Sequence, residues 1–334
     1  MSRNSDTRPI GNFDSPGKGG ADGYNELTGD PMSFQSRDKK SLLEIHLAVA
    51  LFGFPGLFAR WVPVSPPLIV LGRVLFAGLA LAVIIRTRGM PFRITPRRDV
   101  FLLLFCGAVL ALHWTAFFHS VRISSVAVGL LSYSTFPVFT IFLEPLFSGE
   151  KLDRRDLVPA GACIFGVFLI IPRFSLGDSI VRGVLWGLVS GVTFAVLTVV
   201  NRRLSQTRSS LHIAFYQDLF AGILLLPFFF AGRPVLSPRD ILLLAVLGIF
   251  CTALAHALFI HGMKRIRAQA ASIISSLEPV YGVLLALIFL GEVPALRTVL
   301  GGAVVLGAAL AVTRKEASNA KAGEITPVPK RARF

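Results

Sequence analysis

Residues 136–152 read FPVFTIFLEPLFSGEKL, and residues 278–294 read EPVYGVLLALIFLGEVP. Pro137 and Pro279 each stand in an apolar run, and Gly149-Glu150 and Gly291-Glu292 follow at the same distance. One offset of 142 residues aligns both pairs, and it also sets His119 over His261, Phe117 over Phe259 and Val138 over Val280. A fixed-offset match across two apolar segments marks an internal duplication. Weaker likeness extends it: Leu75 to Leu79 resembles Leu219 to Ile223 at an offset of 144, so a small insertion separates the two stretches.

The surroundings of these segments are those of a membrane protein. The chain of 334 residues is 53% hydrophobic and 16% charged, where a soluble domain carries about 25% charge. Apolar stretches long enough to cross a bilayer recur along nearly the whole length. A net charge of +15 raises the question of nucleic acid, but the basic residues fall in loops and tails between apolar runs, which is the pattern of membrane topology. No nucleic-acid-binding motif accompanies them. Cys106, Cys163 and Cys251 lie inside apolar segments without metal-ligand or disulfide spacing, and read as small buried hydrophobes.

Ten spans are predicted, at roughly 42–61, 66–86, 99–119, 124–147, 156–172, 180–200, 212–231, 239–262, 269–291 and 295–313. The expected fold class is therefore an all-α integral membrane protein. Residues 1–41 read as a disordered cytoplasmic tail, 42–172 as the first five-helix repeat, 180–313 as the second, and 314–334 as a basic cytoplasmic tail. With the amino terminus inside, 26 Lys and Arg fall on the cytoplasmic side and 7 on the other, with Arg73 inside a span. That bias places both termini in the cytoplasm. Five spans is an odd number, so the second repeat enters the membrane inverted, and inverted repeats give a fold two similar ways to close.

The two Pro-to-Gly-Glu segments, the basic residues ahead of them (Arg122 and Lys264) and Arg73 early in the second span resemble the drug/metabolite transporter superfamily, in its EamA-like ten-helix branch. The resemblance covers residues 42–313. It implies a transporter of small metabolites, often amino acids and usually outward, working through a central cavity between the halves of a bacterial inner or plasma membrane protein. The wider superfamily also contains carriers of organic phosphates and nucleotide sugars. The chain departs from the pattern in placing His119 and His261 where the family often has a small residue, and in pairing Phe136-Pro137 with Glu278-Pro279.

Glu278 is the sharpest candidate residue. It falls near mid-membrane, where a charge costs about 2.5–3.5 kcal/mol on insertion scales. It reads either as a cavity residue for an amino group or a proton, or as a protonated group bonded to a neighbouring helix. Ser275, Glu278 and Gly282 share one helical face, and Tyr133, Pro137, Thr140 and Glu144 share the matching one. Trp114 and Tyr281 complete the candidate cavity wall, with His113 and His256 at similar depth. Pro137 and Pro279 are expected to kink their helices and to serve, with His119 and His261, as gates. Arg73 and Asp218 either pair, line the pathway, or place Arg73 for snorkelling. Glu150 and Glu292 end helices and are expected to bond backbone N–H groups or basic residues. No catalytic set, nucleotide loop or metal cluster is present, so no cofactor and no enzyme activity is expected. The expected partners are a small-molecule substrate and the lipid bilayer, with proton coupling open and the oligomeric state unread. An intramembrane enzyme acting on a lipid-linked substrate is the rival of a different class; its clustered carboxylates or nucleophile-base pair are not found.

Overall fold

A computed structural model describes residues 31–93, 97–148, 157–171, 175, 177–263, 274, 275 and 277–322, with the backbone alone at 31–39, 97, 144–148 and 312–322. The described residues from Ser41 onward form one compact unit. Every regular element among the described residues is helical: α1 (Pro31–Phe52), α2 (Pro55–Trp61), α3 (Pro66–Thr87), α4 (Arg97–Ile123), α5 (Val126–Tyr133), α6 (Phe136–Ser148), α7 (Leu157–Ile170), α8 (Ser179–Ser205), α9 (Ser210–Gly232), α10 (Pro238–Gly248), a π-helical turn (Ile249–Leu254), α11 (Ala255–Gly262), α12 (Glu278–Leu290) and α13 (Leu296–Ala322). Seven segments are long and apolar enough to cross a bilayer, and Leu157–Ile170, Glu278–Leu290 and Leu296–Ala311 are shorter apolar helices. Together they make the ten spans of two inverted five-helix repeats.

The duplication survives in the element boundaries. Helices α6 and α12 each have 13 residues, and both their first and their last residues lie 142 apart. Helix α5 runs against α12: the N–H of Val126, at the start of α5, donates to Glu292, just past the end of α12, and Tyr133, at the end of α5, bonds Glu278 at the start of α12. Gly291 explains the glycine of the motif. It takes φ 65°, a left-handed conformation that costs glycine little. The N–H groups of Gly291 and Glu292 then turn back to the carbonyls of Leu287 and Ala286, at 3.2 and 3.3 Å, which ends α12 and aims the next side chain sideways.

The structure corrects four expectations. Spans one and four are each two helices, not one. The fourth breaks at Ser134-Thr135 between α5 and α6, and the first at Gly53-Phe54 between α1 and α2. In the ninth, α12 begins at Glu278, directly after a turn at Leu277. Pro137 and Pro279 therefore do not kink continuous helices. Each opens a half-helix, where its missing N–H would have had no partner anyway. The two polar stripes, read as single helical faces, are accordingly split at these breaks. Finally, α1 starts inside the segment read as a disordered tail, and α13 continues to Ala322 in the segment read as the carboxy-terminal tail. Both stretches contain Lys, Arg, Gln, Glu or Ala, good helix formers that extend a helix already nucleated.

Close packing sets the interior. A side chain at Gly248 would place its Cβ 2.5 Å from the Arg73 carbonyl oxygen, and Gly166 and Gly301 each face the other's backbone at 2.8 and 2.5 Å. The approach at Gly248 holds the following π-helical turn beside α3.

Candidate functional site

Arg73 is 1% exposed, two turns into α3. A buried guanidinium needs acceptors, and the π-helical turn provides them. Wide turns of this kind release backbone groups and recur at functional sites. The Arg73 Nε donates to Thr252 Oγ1 at 2.9 Å, and an Nη donates to the Cys251 carbonyl at 3.3 Å. Thr252 in turn donates to the Leu247 carbonyl at 2.8 Å, which leaves its oxygen lone pairs for the arginine. The guanidinium carbon stands 3.8 Å from the Trp114 ring centroid, a cation–π contact worth about 2 kcal/mol when desolvated. Two of the five N–H donors are thus engaged by protein. The expectation of snorkelling does not hold, because these contacts keep the side chain in the interior.

Glu278 is the first residue of α12 and is 7% exposed. A carboxylate in the first turn of a helix is favoured by the dipole. Tyr133, the last residue of α5, donates its hydroxyl to Glu278 Oε2 over 3.4 Å. The breaks in spans four and nine therefore meet, one from each repeat.

Arg73, Glu278, Trp114 and Tyr133 line one cavity, which draws on both halves of the chain. Its walls are aromatic: Phe117 and Phe194 stand against Tyr133, and His256 meets the edge of Trp114. His113 is fixed by the Ser190 carbonyl and hydroxyl at 2.9 and 3.0 Å and stacks on Phe194. The free volume is about 50 Å³, room for roughly three to five waters at 10–15 Å³ each.

Other singled-out residues lie elsewhere. Ser275 is buried with a hydroxyl that has no partner among the described residues, and Tyr281 packs over Gly53; neither lines the cavity. The break before α12 separates Ser275 from Glu278, and Tyr281, one turn into α12, packs on Gly53 instead of the cavity. His119 meets the ring of Trp186 at 5.1 Å, and His261 bonds Glu44 at 2.7 Å. Glu292 bonds Arg60 Nε and the Val126 N–H, each at 2.9 Å. Arg122 reaches the carbonyls of Ala59, Val62 and Val64. Asp218 is buried away from the cavity lining and makes no ion pair with Arg73. Glu150 and Lys264 lie outside the described residues, as does the side chain of Glu144. Sequence reading missed Asn201, Thr198, Phe52 and Met263 in the cavity wall. It also missed Thr252, a single hydroxyl in an apolar run. No group of three or more metal-ligating side chains occurs among the described residues.

A model of the EamA-like transporter family matches residues 39–171 and 181–314, one match per repeat. The chain is 28% identical to an uncharacterized transporter of Archaeoglobus fulgidus over 81% of this chain and 95% of that protein. It is 25% identical to the uncharacterized transporter YxxF of Bacillus subtilis, over 86% and 94%. The pseudopaline exporter CntI of Pseudomonas aeruginosa is 25% identical over 65% of this chain and 76% of its own length. A protein of known crystal structure shares the fold with a TM-score of 0.62 at 20% identity, over 84% of this chain and 98% of that one.

Proposed function

Because the chain belongs to the EamA-like transporter family, we propose that it is a secondary transporter of small zwitterionic metabolites, amino acids among them, working by alternating access across an inner or plasma membrane. The observation that carries this reading is one buried cation and one buried carboxylate on the wall of a single aromatic cavity. Arg73 keeps donors for a substrate carboxylate, and an arginine presents them as a rigid fork. Glu278 accepts from an ammonium group. The rings of Trp114, Phe117 and Phe194 offer an apolar surface to the substrate's side chain. Alternating access requires the two halves to part on one side to load the substrate. The similarity to an exporter supports outward movement, and the basic bias of the loops supports cytoplasmic termini.

The breaks at Pro137 and Pro279 are the bending points of this cycle, since each sits where the helical hydrogen bonds are already interrupted. His119 and His261 lie at opposite ends, against Trp186 and Glu44, where helix movement would disturb them.

Equilibrium competition tests the two-ended recognition. Against a bound radiolabelled neutral amino acid, unlabelled amino acid is expected to compete. The corresponding amine without its carboxylate and the acid without its amino group should compete at least about tenfold less well, because each loses one charge-assisted bond. Equal competition by either truncated compound would overturn the assignment of that end.

A further inference from the structure

Asp218 lies on α9, one turn before Gly222, which packs against Val74 of α3. It is 0% exposed, and neither carboxyl oxygen has a hydrogen-bond partner among the described residues. The charged group facing it is Arg73, close enough for electrostatic interaction but bonded instead to Thr252 and Cys251 and laid on Trp114. Among the described residues, the other elements packed on α9 bring no second charge against Asp218. From α4 comes Cys106, against Gln217. From α11 comes His256, whose Nδ1 is also unpartnered, and from α8 the neutral Asn201, which accepts from Gln217 at 2.5 Å. On α9 itself, Tyr216 and His212 bond the Phe92 and Pro91 carbonyls.

An ionised carboxylate is an acceptor without donors here, and burial without partners disfavours the charged form strongly. Arginine stays charged throughout. One guanidinium therefore stands between two alternative sets of acceptors: Thr252, Cys251 and Trp114, which hold it where it lines the cavity, and Asp218, which is outside the lining. We propose that Asp218 is the proton site of this protein, protonated while Arg73 is held on the cavity side and ionised when Arg73 turns to pair with it. In that step the carboxyl O–H bond breaks, the proton leaves to water admitted as the cavity opens, and the arginine becomes the counter-ion of the new carboxylate. The inference rests on the transport reading for its consequence. A substrate carboxylate competes with Asp218 for Arg73, so substrate and proton bind together and the loaded carrier moves both in one direction. Outward flux is then driven by the substrate's own gradient.

Infrared titration of the purified full-length protein in liposomes, with the proton as the probe and no substrate, tests this directly. Wild type is expected to show a carboxylic-acid C=O absorption that disappears as pH rises and that Asp218→Asn lacks. The same titrating absorption in Asp218→Asn would overturn the proposal. Thr252→Val removes an acceptor that holds Arg73 on the cavity side, and the absorption should then vanish at lower pH than in wild type. An unshifted titration in that variant would overturn the switch, and it decides the matter if Asp218→Asn fails to fold. Wild-type liposomes that move no amino acid would sink the transport reading and leave the infrared result standing.

Discussion

Replacing Glu278 with glutamine is expected to weaken amino-acid binding by about 10–100-fold, since a hydrogen bond to a charged group contributes about 1.5–3 kcal/mol and each 1.4 kcal/mol is tenfold. The amide keeps the size of the carboxylate and can still accept from Tyr133 (3.4 Å in the wild type), so the meeting of the two broken spans survives. What disappears is the negative charge opposite Arg73. Removing one buried charge also leaves Arg73 with less compensation, which adds to the loss. Equilibrium binding of a radiolabelled amino acid to purified Glu278→Gln checks this, with insertion and elution position as controls for folding. Unchanged affinity would show that Glu278 is bonded to its neighbours for packing and takes no part in binding.

The second large effect is expected at the end of the bundle where α12 finishes. Glu292 ties that end to Arg60 in the last turn of α2 and to the first N–H of α5, each at 2.9 Å. Arg60 also bonds the Ser124 carbonyl at 2.8 Å. Spans one, four and nine are thus clasped where substrate would have to pass. The carboxylate and arginine are partly exposed (24% and 31%), so the clasp is worth about 1–2 kcal/mol rather than the value of a buried pair. An equilibrium between inward- and outward-open states differs by only a few kcal/mol. Glu292→Gln or Arg60→Ala should therefore raise opening at this end by about 5–30-fold. A reporter cysteine at Leu110 in the cavity wall, with Cys106, Cys163 and Cys251 replaced by alanine, should react correspondingly faster with an impermeant maleimide added from that side. No change in rate would make the clasp a surface contact without a gating role.

Much of this architecture was legible in the sequence. The offset of 142 paired the segments that hold α6 and α12, because Pro and Gly-Glu punctuate both copies and each has a local physical cause. Proline suits a helix start, and glycine suits the left-handed residue after a helix end. The interruptions were not legible. In a membrane span nearly every position is apolar, so no periodicity distinguishes one long helix from two short ones, and a proline that opens a half-helix looks the same as one inside a helix. The π-helical turn at Ile249–Leu254 had no signal at all, and with it went the partnership of Arg73 and Thr252, 179 residues apart. Glu278, Trp114 and Tyr133 could be singled out because charged and polar aromatic groups at mid-membrane are rare. Asn201 and Met263 stand in the same cavity but carry residue types common in packed helices.

Counterflow is the measurement that bears most directly on transport through this cavity. Liposomes containing wild-type protein and loaded with an unlabelled neutral amino acid should accumulate the same labelled amino acid transiently from outside. Liposomes with Glu278→Gln should accumulate far less. A wild-type protein that exchanges none of the common amino acids, or a Glu278→Gln variant that exchanges them as fast as wild type, would contradict a transport site built from Arg73 and Glu278.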